Sequence, residues 1–231
     1  MLEGMAEFFA ARVDGYDEHM RRDIEGAAEF YPFTAALLPK SPETRLLDLG
    51  CGTGLELEDY FRLGGEGHVT GIDLSGEMLA ALVAKFPGRR LKLIRGSYLE
   101  LPFGEGRFDA AVSVESLHHF PPAEKLALYG KLRRALTETG YFVLTDYFAA
   151  SDEEEEAFFA ELAGLRRAQG IGEGELCHFD TPLTVAHESE LLRRAGFRSV
   201  QIMKSWGATT ALLARCGQPR EKQTKEKAYE A

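Results

Sequence analysis

The chain has 231 residues, of which 45% are hydrophobic and 28% are charged, and its formal net charge is −10. This composition is typical of a globular protein long enough to bury a sizeable core, and it excludes fibrous and compositionally disordered chains. The negative charge argues against broad binding to a nucleic-acid backbone, which requires a basic face.

The N-terminus and the cysteines indicate a cytoplasmic protein. The N-terminal residues carry acids where a secretory signal carries bases, and no stretch reaches the roughly 20 uncharged apolar residues of a membrane span. Three widely spaced cysteines predict neither disulfides nor a zinc site, and we expect no metal ligands. We expect a monomer or a homodimer that does not bind membranes.

Residues 1–44 are predicted to form a helical cap. Aromatic and apolar residues recur at helical spacing from Phe8 to Tyr16. A second helix is predicted from about Arg22 to Leu38, with Pro32 as a break or kink.

From Arg45 onward, strands alternate with helices. Five strands are predicted in RLLDLG, HVTGIDLS, RLKLIRGS, FDAAVSVES and YFVLTDYF, with intervening helices in GLELEDYFRLG, GEMLAALVAKFPG and PPAEKLALYGKLRRALTETG. The last of these helices has proline at its start and Gly140 just past its expected end. This alternation predicts a parallel, doubly wound α/β sheet of the Rossmann-like type.

The acidic run after the fifth strand is predicted to be a helix. Ser151 and Glu154 have the spacing of a capping box, and Arg166 and Arg167 fall in the last turn, as the helix dipole prefers. A glycine-rich loop, a helix in VAHESELLRRAGF and strands in SVQIMKS and GATTALLAR are predicted to follow.

The chain is therefore expected to have three parts. Residues 1–44 form the cap, residues 45–216 form the core domain, and the charged residues 217–231 are predicted to be disordered. Residues 148–188 are an insertion within the core domain. We expect the cap and the insertion to lie over the carboxyl ends of the strands as a lid that selects the substrate.

Three glycines at alternate positions follow the first strand, in LLDLGCGTG. A dinucleotide site has the pattern G-x-G-x-x-G, whereas Gly50, Gly52 and Gly54 form G-x-G-x-G. Asp48, at the end of the strand, would repel a pyrophosphate and attract an ammonium group. The loop therefore predicts a zwitterionic nucleoside ligand and argues against a nicotinamide-dependent oxidoreductase.

Asp73 ends the second strand, where a carboxylate can accept hydrogen bonds from both hydroxyls of a ribose. The alternative role for Asp73 is to cap the next helix, but Ser75 suits that role at least as well. We therefore predict that Asp73 binds the ribose.

These motifs and two further ones resemble the class I S-adenosylmethionine (SAM)-dependent methyltransferases. LLDLGCGTG, GIDLSGEML, GSYLELPFGEGRFDAAVSVESLHHF and LTETGYFVLTDYF occur in the order and at the spacing of that family, from about Arg45 to Tyr147. The resemblance implies SAM as the cofactor, methyl transfer as the activity, and a seven-stranded sheet whose last strand is antiparallel.

The resemblance also implies roles for individual residues. It places Asp48, Gly50, Cys51, Gly52 and Gly54 around the methionine part of SAM, Asp73 at the ribose, Leu74, Met78, Ser97 and Tyr98 at the adenine, and Glu115 under the sulfonium. Ordinary core packing is the alternative for Met78. Ser97 stands where many members have an aspartate, which weakens the contact to the adenine amino group. Tyr98 is expected to stack on the adenine or to supply its backbone amide.

On the acceptor side, seven polar or aromatic residues are candidates: Tyr16, Glu115, His118, His119, Asp146, Tyr147 and His178. We predict that His119, Glu115 and Tyr16 are catalytic. Because one of two adjacent histidines usually faces the core, we expect His119 at the substrate and His118 in packing.

The predicted function is methyl transfer from SAM to a small-molecule acceptor. The Pro-Cys motif of cytosine methylation and the N-P-P-Y signature of amide and adenine amino methylation are both missing after the fourth strand. Two alternatives stay open. One is a tRNA wobble-uridine modifying enzyme, since YDEHMRRDIEGAAEFYPF also resembles carboxy-SAM synthase, and the other is a SAM-binding protein without an acceptor site.

Overall fold

A computed structural model describes residues 1–172 and 174–217. Seven strands form one sheet: β1 (Arg45–Leu49), β2 (His68–Asp73), β3 (Leu91–Arg95), β4 (Phe108–Val114), β5 (Leu136–Tyr147), β6 (Ser199–Trp206) and β7 (Thr209–Arg215). The predicted disorder of residues 217–231 lies outside the described residues, except at Gly217.

The order of the strands in the sheet is β3-β2-β1-β4-β5-β7-β6. The first five strands are parallel, and β7 runs antiparallel to both of its neighbours. In the register, Leu47 of β1 pairs with Thr70 of β2 and with Ala111 of β4. The predicted Rossmann-like sheet with an antiparallel last strand is therefore confirmed.

Eight helices accompany the sheet: α1 (Met5–Ala10), α2 (Tyr16–Asp23), α3 (Ala27–Leu37), α4 (Leu55–Arg62), α5 (Gly76–Lys85), α6 (Pro122–Ala135), α7 (Asp152–Gln169) and α8 (Val185–Arg194). Strands β1 and β4 lie at the centre, and almost all of their side chains are buried because helices cover both faces. No helix among the described residues is long and apolar enough to cross a membrane.

The second helix of the cap differs from its prediction. Arg22 belongs to α2, and the break falls before α3, at Gly26, whose φ is +79°. Helix α3 continues through Pro32 despite the lost hydrogen bond, because Phe30 and Tyr31 bury its inner face in the core.

The end of α6 also differs from its prediction. The helix stops at Ala135, and β5 begins at once with Leu136, which pairs with Phe108. Gly140 lies inside β5, at an irregularity in the pairing with β4, and not at the end of a helix. Two β-branched threonines between Leu136 and Gly140 disfavour the extra helical turn that the sequence pattern predicted.

Helix α7 has the predicted cap. The side chain of Ser151 accepts a hydrogen bond from the backbone N–H of Glu154, and the side chain of Glu154 accepts one from Ala150. Four acids occupy its first turn, and Arg166 and Arg167 occupy its last turn. The acidic run is therefore the ordinary start of a helix.

Candidate active site

The loop between β1 and α4 is held in a tight turn. The backbone N–H groups of Gly50 and Cys51 both donate to the carbonyl of Ile72 on the neighbouring strand, at 2.9 and 3.2 Å. Gly50, Gly52 and Gly54 all have positive φ, of 72°, 46° and 77°, which only glycine adopts at little cost.

Two of these glycines are required by close packing as well as by conformation. A β-carbon on Gly50 would collide with the side chain of Ser116, and one on Gly54 would come within 2.9 Å of the Phe86 ring. A β-carbon on Gly52 would meet no heavy atom within 4 Å. The middle of the loop therefore faces open space in which a ligand can approach the backbone.

Two buried carboxyl groups lie beneath this loop. Asp48 and Glu56 are 1% and 5% exposed, and the Oδ2 atom of Asp48 and the Oε1 atom of Glu56 have no hydrogen-bond partner. Burial raises the pKa of both groups, and the neighbouring carboxyl of Glu56 raises the pKa of Asp48 further. An ammonium group bound here would supply the missing donors and the compensating charge.

Asp73 lies beside the loop at the end of β2. Its Oδ2 atom accepts from the backbone N–H of Gly52 at 2.9 Å, and its Oδ1 atom accepts from Ser75 at 2.8 Å. Ser75 itself caps α5, since its side chain accepts from the N–H of Met78. Asp73 is therefore not the capping residue, although its carboxylate also fixes the position of Gly52.

The remaining residues assigned to the nucleoside occupy the base of the site. Cys51 and Met78 are buried, each 1% exposed, and Leu74 packs against the apolar core. The hydroxyl of Ser97 accepts a local hydrogen bond from the N–H of Leu99. The Tyr98 ring lies in the core, with its hydroxyl 2.9 Å from the hydroxyl of Ser116.

Helix α2 covers the glycine loop. Asp17, in its first turn, accepts a hydrogen bond from the hydroxyl of Thr53 in the loop and forms an ion pair with Lys85 of α5. Tyr16 is largely buried beside it, and burial together with the nearby carboxyl of Asp73 raises its pKa. The cap thus contacts the loop directly.

A cavity of about 800 Å³ lies between the cap and the carboxyl ends of the strands, and Tyr16 of α2 belongs to its lining. Helices α1 and α2, the segments after β4 and β5, and the loop before α8 line it. The cap and that loop are joined by a β-bridge between Gly4 and Cys177 and by a hydrogen bond from the N–H of His178 to the carbonyl of Glu3. The two predicted lid elements therefore form one continuous wall.

Glu115 lies in the wall of the cavity, just past β4. Its φ of +48° makes it the one residue other than glycine with a positive φ in the described chain, which indicates backbone strain at this position. Its carboxylate accepts from the hydroxyl of Thr209 at 3.0 Å. Burial and the nearby carboxylate of Asp146 raise the pKa of Glu115 to about 7.

Both histidines after β4 line the cavity, so the prediction that only one of them reaches it is wrong. They fall in a short 3-10 turn, Leu117–His119, and their rings lie 4.0 Å apart. The His118 Nδ1 atom lies 2.6 Å from the buried Asp146 carboxylate. Burial lowers the pKa of His118, but the carboxylates of Asp146 and Asp180 outweigh it and raise that pKa to about 9.

His119 contacts the loop before α8. Its Nδ1 atom lies 3.1 Å from the Asp180 carboxylate, and its ring lies 4.8 Å from that of His178. Burial and the neighbouring His118 lower the pKa of His119, and burial also lowers the pKa of His178, to about 4. Tyr147, the other predicted candidate, lines the same cavity.

A protein-family model described as a methyltransferase domain matches residues 46–140. This range includes the glycine loop, Asp73, Glu115 and both histidines. Residues 46–140 of this chain are a methyltransferase domain, and the sheet around it has the fold of SAM-dependent methyltransferases. The resemblance stated from the motifs is therefore confirmed, and so is the fold that it implied.

The proteins that are similar to this chain are named after different molecules. A sterol 24-C-methyltransferase of Gibberella zeae is 30% identical over 49% of this chain and 32% of its own length. A carboxy-S-adenosyl-L-methionine synthase of Campylobacter fetus is 22% identical over 90% of this chain and 93% of its own. Human N-acetylserotonin methyltransferase has the same fold, with a TM-score of 0.64 and 17% identity over 92% of this chain and 57% of its own. The chain spans less than two thirds of the length of several relatives at similar identity.

The residues at the glycine loop fit SAM. Its amino-acid end carries an ammonium group, which matches the two buried carboxyls without donors, and its ribose hydroxyls match Asp73. Four contributors were missed from the sequence: Glu56, Asp17, Asp180 and Thr209. Asp180 and Thr209 lie outside the recognised motifs, and only the fold brings them to the site. Asp17 falls within YDEHMRRDIEGAAEFYPF and Glu56 lies two residues past Gly54, but neither residue was assigned a role from the sequence.

Proposed function

We propose that this chain transfers the methyl group of SAM to a small-molecule acceptor bound in the cavity under the cap. The observation that carries the proposal is the cavity itself, which has a volume of about 800 Å³ and is lined by Tyr16 of α2, next to the Asp17 that contacts Thr53 of the glycine loop. Small-molecule sites range from about 300 to 1,000 Å³. A SAM-binding protein without an acceptor site would have no need of such a space.

The charges around the cavity favour a neutral or cationic acceptor. Among the described residues that line it are four acidic side chains, those of Asp14, Glu25, Glu115 and Asp180, against the guanidinium of Arg12 and the imidazole of His118, whose pKa is raised to about 9. Arg12 is already paired with Glu3. An RNA substrate would bring phosphates against these carboxylates, so the cavity argues against the tRNA alternative.

The chain's own residues have three tasks in this reaction. The loop and Asp73 hold SAM, whose sulfonium supplies the methyl group, and the cap excludes water from the site. Glu115, His119 and Tyr16 line the cavity, and in this proposal they orient the acceptor. Where the acceptor arrives with a proton, Glu115 or His119 accepts it.

Carboxy-SAM synthesis stays as the second candidate, because the synthase from Campylobacter fetus aligns with nearly the whole chain. That reaction adds an anionic carboxyl group to SAM, which the carboxylate-rich cavity disfavours. The two candidates also differ in what becomes of SAM, since methyl transfer releases S-adenosylhomocysteine (SAH) and carboxylation yields a heavier product.

The test follows both the label and the nucleoside. The purified chain is incubated with methyl-labelled SAM and either a deproteinised low-molecular-mass extract or total tRNA. We expect label in an extract component, none in tRNA, and SAH as the nucleoside product by mass spectrometry. Asp73→Ala, which weakens SAM binding, should abolish the transfer, whereas Asp23→Asn on the exposed surface of α2 should not. Label in tRNA, or a carboxylated SAM, would replace this proposal with the corresponding alternative.

A further inference from the structure

Three side chains from two separate segments converge at the wall of the cavity. The ring nitrogens of His118 and His119 and a carboxylate oxygen of Asp180 all lie within 4.8 Å of one another. The Asp180 Oδ1 atom lies 3.5 Å from the Nε2 atom of His118 and 3.1 Å from the Nδ1 atom of His119. Both imidazoles are buried, while Asp180 is half-buried and faces the cavity.

We propose that His118, His119 and Asp180 bind a divalent transition metal such as Zn²⁺, with an open coordination position facing the acceptor cavity. Two imidazoles and one carboxylate are a ligand set that such ions take when they leave a position for water or substrate. Metal binding itself does not depend on the proposed methyl transfer.

The distances suit one shared ion. Ligand atoms bound at about 2.1 Å to a tetrahedral or octahedral ion lie roughly 3.0–3.4 Å apart. The separation from the Asp180 oxygen to His119, 3.1 Å, falls within this range, and the one to His118, 3.5 Å, lies just above it. All three ligand atoms lie within 4.8 Å of one another, so the groups need only draw closer together to share one ion.

A buried carboxylate already orients the His118 ring. The Nδ1 atom of His118 lies 2.6 Å from the Asp146 carboxylate, which leaves its Nε2 atom for the ion. Asp146 is fixed in turn by the backbone N–H groups of Leu117 and Tyr147. A buried carboxylate behind a metal-binding histidine is the usual arrangement, because it fixes the ring and strengthens the ligand.

The segment that carries Asp180 is also anchored to the histidine turn. The backbone N–H of Thr181 donates to the carbonyl of His118 at 2.7 Å, and its hydroxyl donates to the same carbonyl at 3.2 Å. Thr181 is fully buried. The two segments are thus held in register, although 61 residues separate His119 from Asp180 in the sequence.

In the proposed reaction, which rests on the proposed function, the ion would bind the acceptor's oxygen. A bound cation lowers the pKa of a hydroxyl and orients it. The hydroxyl proton would pass to the Glu115 carboxylate, which lies within 4.8 Å of a ring nitrogen of His118. The oxygen would then form the new bond to the methyl carbon as the bond from that carbon to sulfur breaks.

The test measures metal binding directly on the tag-free chain after dialysis against a chelator. Zn²⁺ is titrated calorimetrically, and Co²⁺ is followed by its visible absorption. We expect one equivalent bound by the wild type, a loss of affinity of about 100-fold or more in Asp180→Asn and His119→Ala, and no change in His187→Ala. His187 pairs with Glu155 near the start of α8, away from the cluster, and is therefore a matched control.

SAH binding is measured on the same samples. Asp180→Asn is the primary variant because it is nearly isosteric at a half-exposed position, and unchanged SAH affinity shows that it has folded. Two results would overturn the proposal and leave only an ion-pair network among these side chains. One is less than one tenth of an equivalent of metal bound by wild-type protein that still binds SAH. The other is equal metal affinities in the wild type and both cluster variants. Metal binding without SAH binding would overturn the proposed function instead.

Discussion

At the scale of residues, the two buried carboxyls under the glycine loop reduce the stability of the chain. Asp48 and Glu56 each have an oxygen without a partner, and burial raises the pKa of both. Unfolded carboxyls titrate near pH 4. The contribution of the protonated pair to the free energy of unfolding is therefore fully present below about pH 4. It is lost as the pH rises through the raised pKa values of the folded state.

Replacing one of these carboxyls should stabilise the chain and impair ligand binding. We expect Asp48→Asn to raise the melting temperature at pH 7 by about 2–4 °C, which corresponds to roughly 1 kcal/mol. The gain should be small at pH 4 and grow toward pH 8. The same variant should bind SAH about tenfold or more weakly, because a charged partner of the ammonium is lost. A loss of stability at pH 7 in thermal melts would contradict this reading.

Gly52 allows a test of the open space in the loop. Gly52→Ala and Gly88→Ala both place alanine at positive φ with no atom within 4 Å of the new β-carbon. Each should lose about 1–2 kcal/mol of stability through backbone strain. Only Gly52→Ala should also weaken SAH binding, which calorimetry would measure. Equal SAH affinities in the two variants would place the ligand elsewhere.

At the scale of elements, α6 and α8 are joined by a buried ion pair that the sequence did not indicate. The Lys125 Nζ atom lies 2.6 Å from the Glu188 carboxylate, and both side chains are 1% exposed. The hydroxyl of Tyr129 donates to the same carboxylate. A lysine on a helix is usually solvated, and the sequence gives no sign that Lys125 is buried. It becomes a core residue because α6 packs against α8, which carries Glu188, 63 positions later in the sequence.

Breaking this pair should be costly because one charge is left buried and unpaired. We expect Glu188→Ala to destabilise the chain by about 3–5 kcal/mol in denaturant unfolding. The double variant Lys125→Met with Glu188→Leu should recover most of that loss, since apolar side chains of similar size replace both charges. If the double variant were no more stable than Glu188→Ala, the pair would contribute through more than its buried charges.

Elements that depend on local interactions were predicted from the sequence, whereas those that depend on contacts between distant segments were not. Helix α5 and the strands of the sheet were predicted because their apolar patterns and caps are local. The end of α6 was misplaced because Gly140 sits at a bulge set by pairing with β4. Helix α3 passes through Pro32 because its burial in the core outweighs the local signal.

At the scale of the whole molecule, the donor side of the site was largely predictable and the acceptor side was not. The glycine loop follows β1 and Asp73 ends β2, and these two strands are neighbours in the sheet. The order of the strands in the sequence is therefore enough to predict that the loop and Asp73 lie close together. The cavity instead combines the cap, the ends of β4 and β5, and the loop that carries Asp180. Those segments meet only through long-range contacts such as the bridge between Gly4 and Cys177.

We propose that the glycine loop binds SAM and not a dinucleotide. Calorimetric titration of SAH into wild type, Asp73→Asn and the exposed control Asp23→Asn tests it most directly, with NAD⁺ titrated in parallel. We expect one SAH per chain, about tenfold or more weaker binding in Asp73→Asn, unchanged binding in Asp23→Asn, and no heat from NAD⁺. Binding of NAD⁺, or equal SAH affinities in wild type and Asp73→Asn, would contradict the account.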